Sequence, residues 1–144
     1  MTPEETAVRM FVCADRRDWD SLARLLDDTV RIDWTSLNGG EPADVPADEL
    51  VRGWKSVLGG FKATQHLIGN VLVEERGEES ATVSCYGQAT HLLPSDLGDS
   101  RWTVGGHYEL RLKRRDDGRL IAAATFTASW GDGNKDLLGL AAAS

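Results

Sequence analysis

The commonest local signatures of a metal, nucleotide or serine-hydrolase centre are missing from this chain. It has no CxxC, no HExxH, no glycine-rich phosphate loop and no GxSxG, so those chemistries have no motif to rest on. Cysteine is scarce. Cys13 and Cys85 lie in apolar surroundings, and both read as buried free thiols rather than a disulfide framework. Basic residues are outnumbered, 16 Lys and Arg against 23 Asp and Glu, for a net charge of −7. That balance argues against nucleic acid and anionic membranes as partners, because both demand basic clusters. The densest basic run, Arg111 to Arg115, is diluted by Leu112 and followed by Asp116 and Asp117; it reads as a solvated strand end. No apolar run approaches the roughly 20 residues that span a bilayer. Glu4, Glu5 and Arg9 break up any leader-like start. The expectation is a soluble protein of the reducing cytoplasm.

What is present suits one folded domain over residues 1–144: the chain is 41% hydrophobic and 27% charged, enough apolar residues for a core. Thr2-Pro3-Glu4-Glu5 is a helix start, with Thr2 as cap and Pro3 at the first helical position. Val8, Phe11 and Val12 then mark a buried stripe. Asp15 continues it and so points inward, where a carboxylate needs a partner. The alternative is that the helix has already ended and Asp15 caps the next. Asp18 caps a second short helix with Trp19, Leu22 and Leu26 on its apolar face, closed by a turn at Asp27-Asp28. Val30, Ile32 and Trp34 alternate with Arg31 and Asp33 as a strand. Residues 38–46 form a loop, and Pro46 starts a third helix with Leu50, Val51, Trp54, Val57 and Leu58 on one face, ended by Gly59-Gly60.

From Ala63 the alternation changes to strands. Four long ones follow, at 63–75, 80–93, 102–115 and 120–130, with Asp116-Asp117-Gly118 as a hairpin turn. On the second, Ala81, Val83, Cys85, Gly87, Ala89 and His91 share a face; these small residues leave room beside His91. On the last, Leu120, Ala122, Ala124, Phe126, Ala128 and Trp130 share a face. Tyr86, Tyr108, Leu110 and Leu112 are expected on the outer face as an apolar patch that calls for self-association. The tail, 135–144, is either flexible or covers the pocket. The order, three helices then four strands, is an α+β layout: a curved mixed or antiparallel sheet with three N-terminal helices on its concave face and a cone-shaped pocket between. All three histidines, His66, His91 and His107, fall on strands, and Asp15 can meet one of them.

Several stretches together resemble the scytalone dehydratase branch of the SnoaL-like, NTF2-like superfamily. They are Asp15 with Arg17-Asp18-Trp19-Asp20, Arg31-Ile32-Asp33-Trp34, Thr64-Gln65-His66-Leu67-Ile68-Gly69, Thr90-His91 and Ser129-Trp130-Gly131. The resemblance runs from about Val8 to Leu138. It implies an NTF2-like (cystatin-like) fold and a catalytic set of Asp15, His66 and His91. In that set Asp15 orients His66, His66 acts as general base and acid, and His91 helps on the leaving-hydroxyl side. Two tyrosines of the family pattern match Ala14 and Trp34, and a pocket serine and asparagine match His107 and Glu109. Trp34, Ala89, His107, Glu109 and Trp130 are therefore the expected substrate-binding residues. No metal and no cofactor is expected, and the resemblance suggests a homodimer or homotrimer.

The chemistry so implied is loss of water, or movement of a proton, beside a carbonyl in a small cyclic or polyketide-like hydroxy compound. Histidine titrates near ~6.5 and suits this work at neutral pH. A carboxylate at its second nitrogen sets the tautomer and stabilises the cation. The competing expectations are a related cyclase, isomerase or epoxide hydrolase, or a binding module without catalysis. For the residues themselves, His66 can be a satisfied core histidine, His91 a structural hydrogen-bonder, His107 an exposed side chain and Trp34 plain core.

Overall fold

The computed structural model describes residues 1–96, 98–116 and 118–142. Six strands form one sheet in the order β2-β1-β6-β5-β4-β3. They are β1 (Leu26–Asp33), β2 (Ala43–Pro46), β3 (Ala63–Arg76), β4 (Ser80–Leu92), β5 (Arg101–Arg115) and β6 (Gly118–Gly133). β3 to β6 pair antiparallel in succession, and β1 pairs parallel with β6, so the sheet is mixed. Among the described residues five helices accompany it: α1 (Pro3–Arg16), α2 (Trp19–Ala23), α3 (Thr35–Asn38), α4 (Ala47–Leu58) and α5 (Leu137–Ala142). The α+β, NTF2-like layout is as expected. The helix count is five rather than three, because two short helices, α3 and α5, are too brief to carry a periodic signal.

α1 begins as its residues dictate. The Thr2 hydroxyl accepts from the Glu5 backbone N–H at 3.1 Å, with Pro3 in the first turn. Its buried face is Ala7, Met10, Phe11 and Ala14, rotated from the expected stripe: Val8 is half-buried and Val12 is 37% exposed. Asp18 caps α2 by accepting from Ser21 N–H. Asp27 and Asp28 do not close a helix. They lie in β1, where Asp27 is gripped by Arg115 Nε and Nη2 at 3.1 and 2.9 Å, which explains how a carboxylate sits buried there. Pro42 to Pro46 is partly strand: β2 hydrogen-bonds to β1 as a short edge, a position where proline is tolerated.

α1 and α4 cover the concave face, and the core between is Phe11, Leu22, Val30, Val83, Leu110, Leu112, Ile121 and Phe126. Tyr108, Leu110 and Leu112 are at most 3% exposed and face this core, not the outside. A sheet with one face covered by helices turns its apolar residues to that face. The patch that is exposed on the outer face is Leu67, Leu72, Tyr86 and Trp130.

Two β-bulges decide the face presented by β6. Leu112 pairs with Ile121 and Arg111 with Ala123, leaving Ala122 extra; Gly106 pairs with Ala128 and Gly105 with Trp130, leaving Ser129 extra. Each bulge shifts the inward parity by one residue. Ile121, Ala124, Phe126 and Ala128 therefore face in, while Leu120 and Trp130, expected with them, turn out. Cys85 is buried as expected, but Cys13 is only half-buried. α5 docks through Leu137 and Ala141, both 0% exposed, against α4. Gly60 is required there, since a Cβ on it would stand 2.1 Å from the Ala141 carbonyl oxygen. The tail thus packs on the body through residue 142. Its last two residues, and Asp117 of the expected hairpin turn, lie outside the described residues. Among the described residues no helix is long and apolar enough to cross a membrane.

Candidate active site

The last turn of α1 delivers Asp15 to the start of β3. One carboxylate oxygen, Oδ1, accepts from His66 Nδ1 at 2.7 Å and from the Thr64 hydroxyl at 3.0 Å. The other, Oδ2, accepts from the His66 backbone N–H at 2.8 Å. A carboxylate only accepts, so Nδ1 carries a proton, and in the neutral ring the Nε2 lone pair is free. Burial by itself pushes the Asp15 carboxyl up. The hydrogen bonds from the His66 ring and backbone, the attraction of that ring when it is protonated, and the Thr64 hydroxyl outweigh this and hold it below the ordinary aspartate range, so it is ionised at neutral pH.

Behind this pair stands Arg17. It ends α1 in the left-handed region, φ 60°, a conformation that costs a non-glycine residue about 1–2 kcal/mol. Its guanidinium offsets that cost through the Thr64 hydroxyl at 2.8 Å and the carbonyls of Ala14 and Phe61 at 3.1 and 3.3 Å. Thr64 accepts from Arg17 and so donates to Asp15. Two motif neighbours, Arg17 and Thr64, are thereby tied into one chain ending at His66.

His91, 4% exposed, sits across the cavity on β4, its ring 6.3 Å from that of His66. Its Nδ1 lies 3.1 Å from the Trp102 carbonyl. A carbonyl can only accept, so His91 also carries its proton on Nδ1 and shows Nε2 as an acceptor. Burial lowers its pKa to about 4, against the raising effect of that carbonyl bond. It is therefore neutral at pH 7.

Both imidazoles open on a cavity of about 260 Å³. Its walls are mostly apolar and aromatic, including Phe11, Trp34, Trp54, Trp102, Tyr108 and Phe126. Ala89 and Trp34, both expected at the pocket, line it. The room left by small residues on β4 is partly taken up. The Tyr108 ring lies on Gly87, where a Cβ would be 2.4 Å from Tyr108 Cε2.

Three expected binding residues are elsewhere. His107 and Glu109 are exposed and lie on the outer face, because β5 alternates strictly and Tyr108 and Leu110 take the inward positions. Trp130 is turned out by the Ser129 bulge and covers Gly105; with His107 it lines a shallow outer groove. Among the lining residues that the sequence did not point to is Tyr108, expected on the outer face. Its even-numbered parity with Trp102, Val104 and Leu110 was the available signal. Among the described residues no group of three His, Cys, Asp or Glu side chains converges on a point where a metal ion could bind.

Residues 4–125 match the model of the SnoaL-like domain. A dehydratase of Pestalotiopsis microspora is 30% identical over 96 residues, 65% of this chain and 60% of that protein, so the chain spans well under two thirds of that relative's length. The solved structure of a Kribbella flavida protein, Kfla4162, superposes with a TM-score of 0.87 at 29% identity, covering 94% of this chain and 93% of that one. A Novosphingobium aromaticivorans structure described as scytalone dehydratase-like has a TM-score of 0.76 at 16% identity, covering 91% and 84% of the two chains, a likeness of fold. With the family model spanning most of its length, the chain belongs to the SnoaL-like family.

Proposed function

We propose that the protein is a cofactor-independent dehydratase of small cyclic or polyketide-like hydroxy-ketones, with Asp15, His66 and His91 as its catalytic residues. The observation that carries this reading is the Asp15–His66 pair, 2.7 Å apart, with the free Nε2 of His66 opening on an apolar cavity. In the reaction His66 Nε2 takes the proton from the carbon beside the carbonyl. The C–H electron pair moves into an enolate, and Asp15 stabilises the imidazolium that forms. The enolate collapses to a C=C bond as the C–O bond at the next carbon breaks. The imidazolium returns its proton to the departing hydroxyl, which leaves as water. His66 is then restored, and no redox partner is consumed. Positioned acid–base help of this kind is worth roughly 10²–10⁴-fold in rate.

His91 plays a narrower part than family resemblance implies. With its proton held on the Trp102 carbonyl it accepts a hydrogen bond from a substrate hydroxyl and orients it, but has no proton to give at neutral pH. The aromatic walls suit a flat ring, and the relative of Pestalotiopsis microspora bears the name dehydratase. Self-association as a dimer or trimer is supported by the apolar outer patch of Leu67, Leu72, Tyr86 and Trp130.

The test is a panel of cyclic hydroxy-ketones followed by mass spectrometry for loss of one water. Turnover that disappears in His66→Ala, with folding and ligand uptake retained, is the expected result. Uptake with no conversion of any panel member by the wild-type protein points instead to a binding module, and undiminished turnover in His66→Ala removes the assignment.

A further inference from the structure

We propose that the Tyr108 hydroxyl is the hydrogen-bond donor that grips the ligand's carbonyl oxygen in this cavity. The inference rests on the dehydratase reading for its catalytic meaning, but not for the binding geometry.

Tyr108 is 3% exposed, and its ring is held between Phe11 and Phe126, both at a centroid distance of 4.6 Å, with Gly87 against its edge. Its hydroxyl has no hydrogen-bond partner among the described residues. Yet the only described buried side-chain nitrogen or oxygen that is both sealed and unpartnered is Arg119 Nε. The Tyr108 oxygen is therefore open to the cavity it lines, and it is the one hydroxyl among the cavity's lining residues. A phenol with no protein partner leaves its O–H available to a bound acceptor.

The two imidazoles make a donor necessary. Both present Nε2 as an acceptor, so neither can bind a carbonyl oxygen while neutral. Phe11 touches both the His66 ring, at 5.5 Å, and the Tyr108 ring. Base and phenol thus flank one side chain, within the span of a single one- or two-ring ligand. Burial, then the nearby Cys85 and Asp15, raise the Tyr108 pKa, so the phenol keeps its proton. As His66 draws off the α-proton, negative charge grows on the carbonyl oxygen, and a fixed donor there strengthens with the charge. The ligand class follows: a cyclic ketone whose carbonyl reaches Tyr108 and whose hydroxyl reaches His91.

The test uses 1-tetralone carrying a ¹³C-labelled carbonyl, read by infrared difference spectroscopy. Bound to the wild-type protein, its C=O stretch is expected at lower frequency than in Tyr108→Phe, a variant that keeps the ring and hence the packing. Uniform incorporation of 3-fluorotyrosine, a more acidic phenol, is expected to deepen the shift; the other tyrosine, Tyr86, is on the outer face and silent. Equal frequencies in wild type and Tyr108→Phe overturn the proposal, as does failure of 1-tetralone to bind the wild type. So does loss of the shift in Trp34→Phe with its retention in Tyr108→Phe, since the donor would then be an indole N–H. None of these readouts needs turnover, so they stand even if no hydroxy-ketone is dehydrated. Conversely, if His66→Ala abolishes turnover while Tyr108→Phe leaves kcat unchanged instead of lowering it roughly 10²-fold, the dehydratase reading survives and the role of Tyr108 does not.

Discussion

His91 and Trp102 are joined twice: the imidazole Nδ1 meets the Trp102 carbonyl at 3.1 Å, and its ring stacks on the Trp102 indole at 4.6 Å and 26°. The ring is thus pinned in one tautomer and orientation, as a side chain must be if a single nitrogen is to meet a ligand.

The first prediction concerns acid stability. The His91 pKa falls from an ordinary 6.5 to about 4 in the folded protein, so the unfolded chain binds the extra proton between those values. Stability is full above pH 6.5 and is lost as pH falls toward 4, by up to about 3 kcal/mol. Urea unfolding at pH 7, 5 and 4 should show this slope in the wild type and a flatter one in His91→Gln. Parallel slopes would assign the loss to other groups. Asp15, whose pKa is lowered, acts in a different window: its contribution is lost below about pH 4.

Asp15→Asn should leave the fold intact and reduce kcat roughly 10²–10⁴-fold, with a smaller change in KM. The neutral amide neither stabilises the imidazolium nor secures the Nδ1–H tautomer. Steady-state kinetics on any hydroxy-ketone found to turn over will decide; an unchanged kcat would detach the carboxylate from the chemistry.

Thr64→Val breaks the link from Arg17 to Asp15 and leaves the guanidinium one acceptor short. A loss of about 1–3 kcal/mol is expected, with the Asp15 carboxyl moving upward and the acid unfolding midpoint moving with it. Thr64→Ser should restore both. Equal behaviour of the Val and Ser variants in acid titration would show that the hydroxyl does not carry the effect.

Two glycines on opposite faces should respond differently to alanine. At Gly87 the new Cβ meets the buried Tyr108 ring at 2.4 Å, and that ring is wedged between Phe11 and Phe126. At Gly105 it meets the Trp130 indole at 2.1 Å, but Trp130 is 47% exposed and can swing into solvent. Gly87→Ala should cost about 1–3 kcal/mol, and Gly105→Ala much less. Thermal unfolding of the pair would expose an error in this ranking.

Much of this architecture could be read from local chemistry. Thr2 and Asp18 mark their helices because a side-chain oxygen beside unpaired N–H groups is a purely local device. The four long strands announce themselves by alternation, and Asp15 and His66 by a carboxylate and an imidazole placed where neither can face water freely. The parity of β6 could not be read, because nothing near Ala122 or Ser129 advertises an extra residue in the ladder; it exists only relative to β5. That is why Trp130 was expected inside. The misplacement of His107 and Glu109 had another origin. They alternate with Tyr108 and Leu110, and it is the large apolar pair that takes the covered face, so the family pattern does not carry over at these two positions. The short β2, α3 and α5 are made by contacts with distant residues, such as Ala141 on Gly60, that no window of sequence contains.

The offset at Ser129 reaches further than the side chain it redirects. Gly131 now occupies the concave position opposite Val104, and a hydrogen atom is all it projects there. Were residues 129–133 to slide by a single place along β5, absorbing the surplus residue, the indole of Trp130 would stand at that position and act as a stopper. The vacancy at the heart of the molecule is therefore guarded by one unmatched rung at its rim.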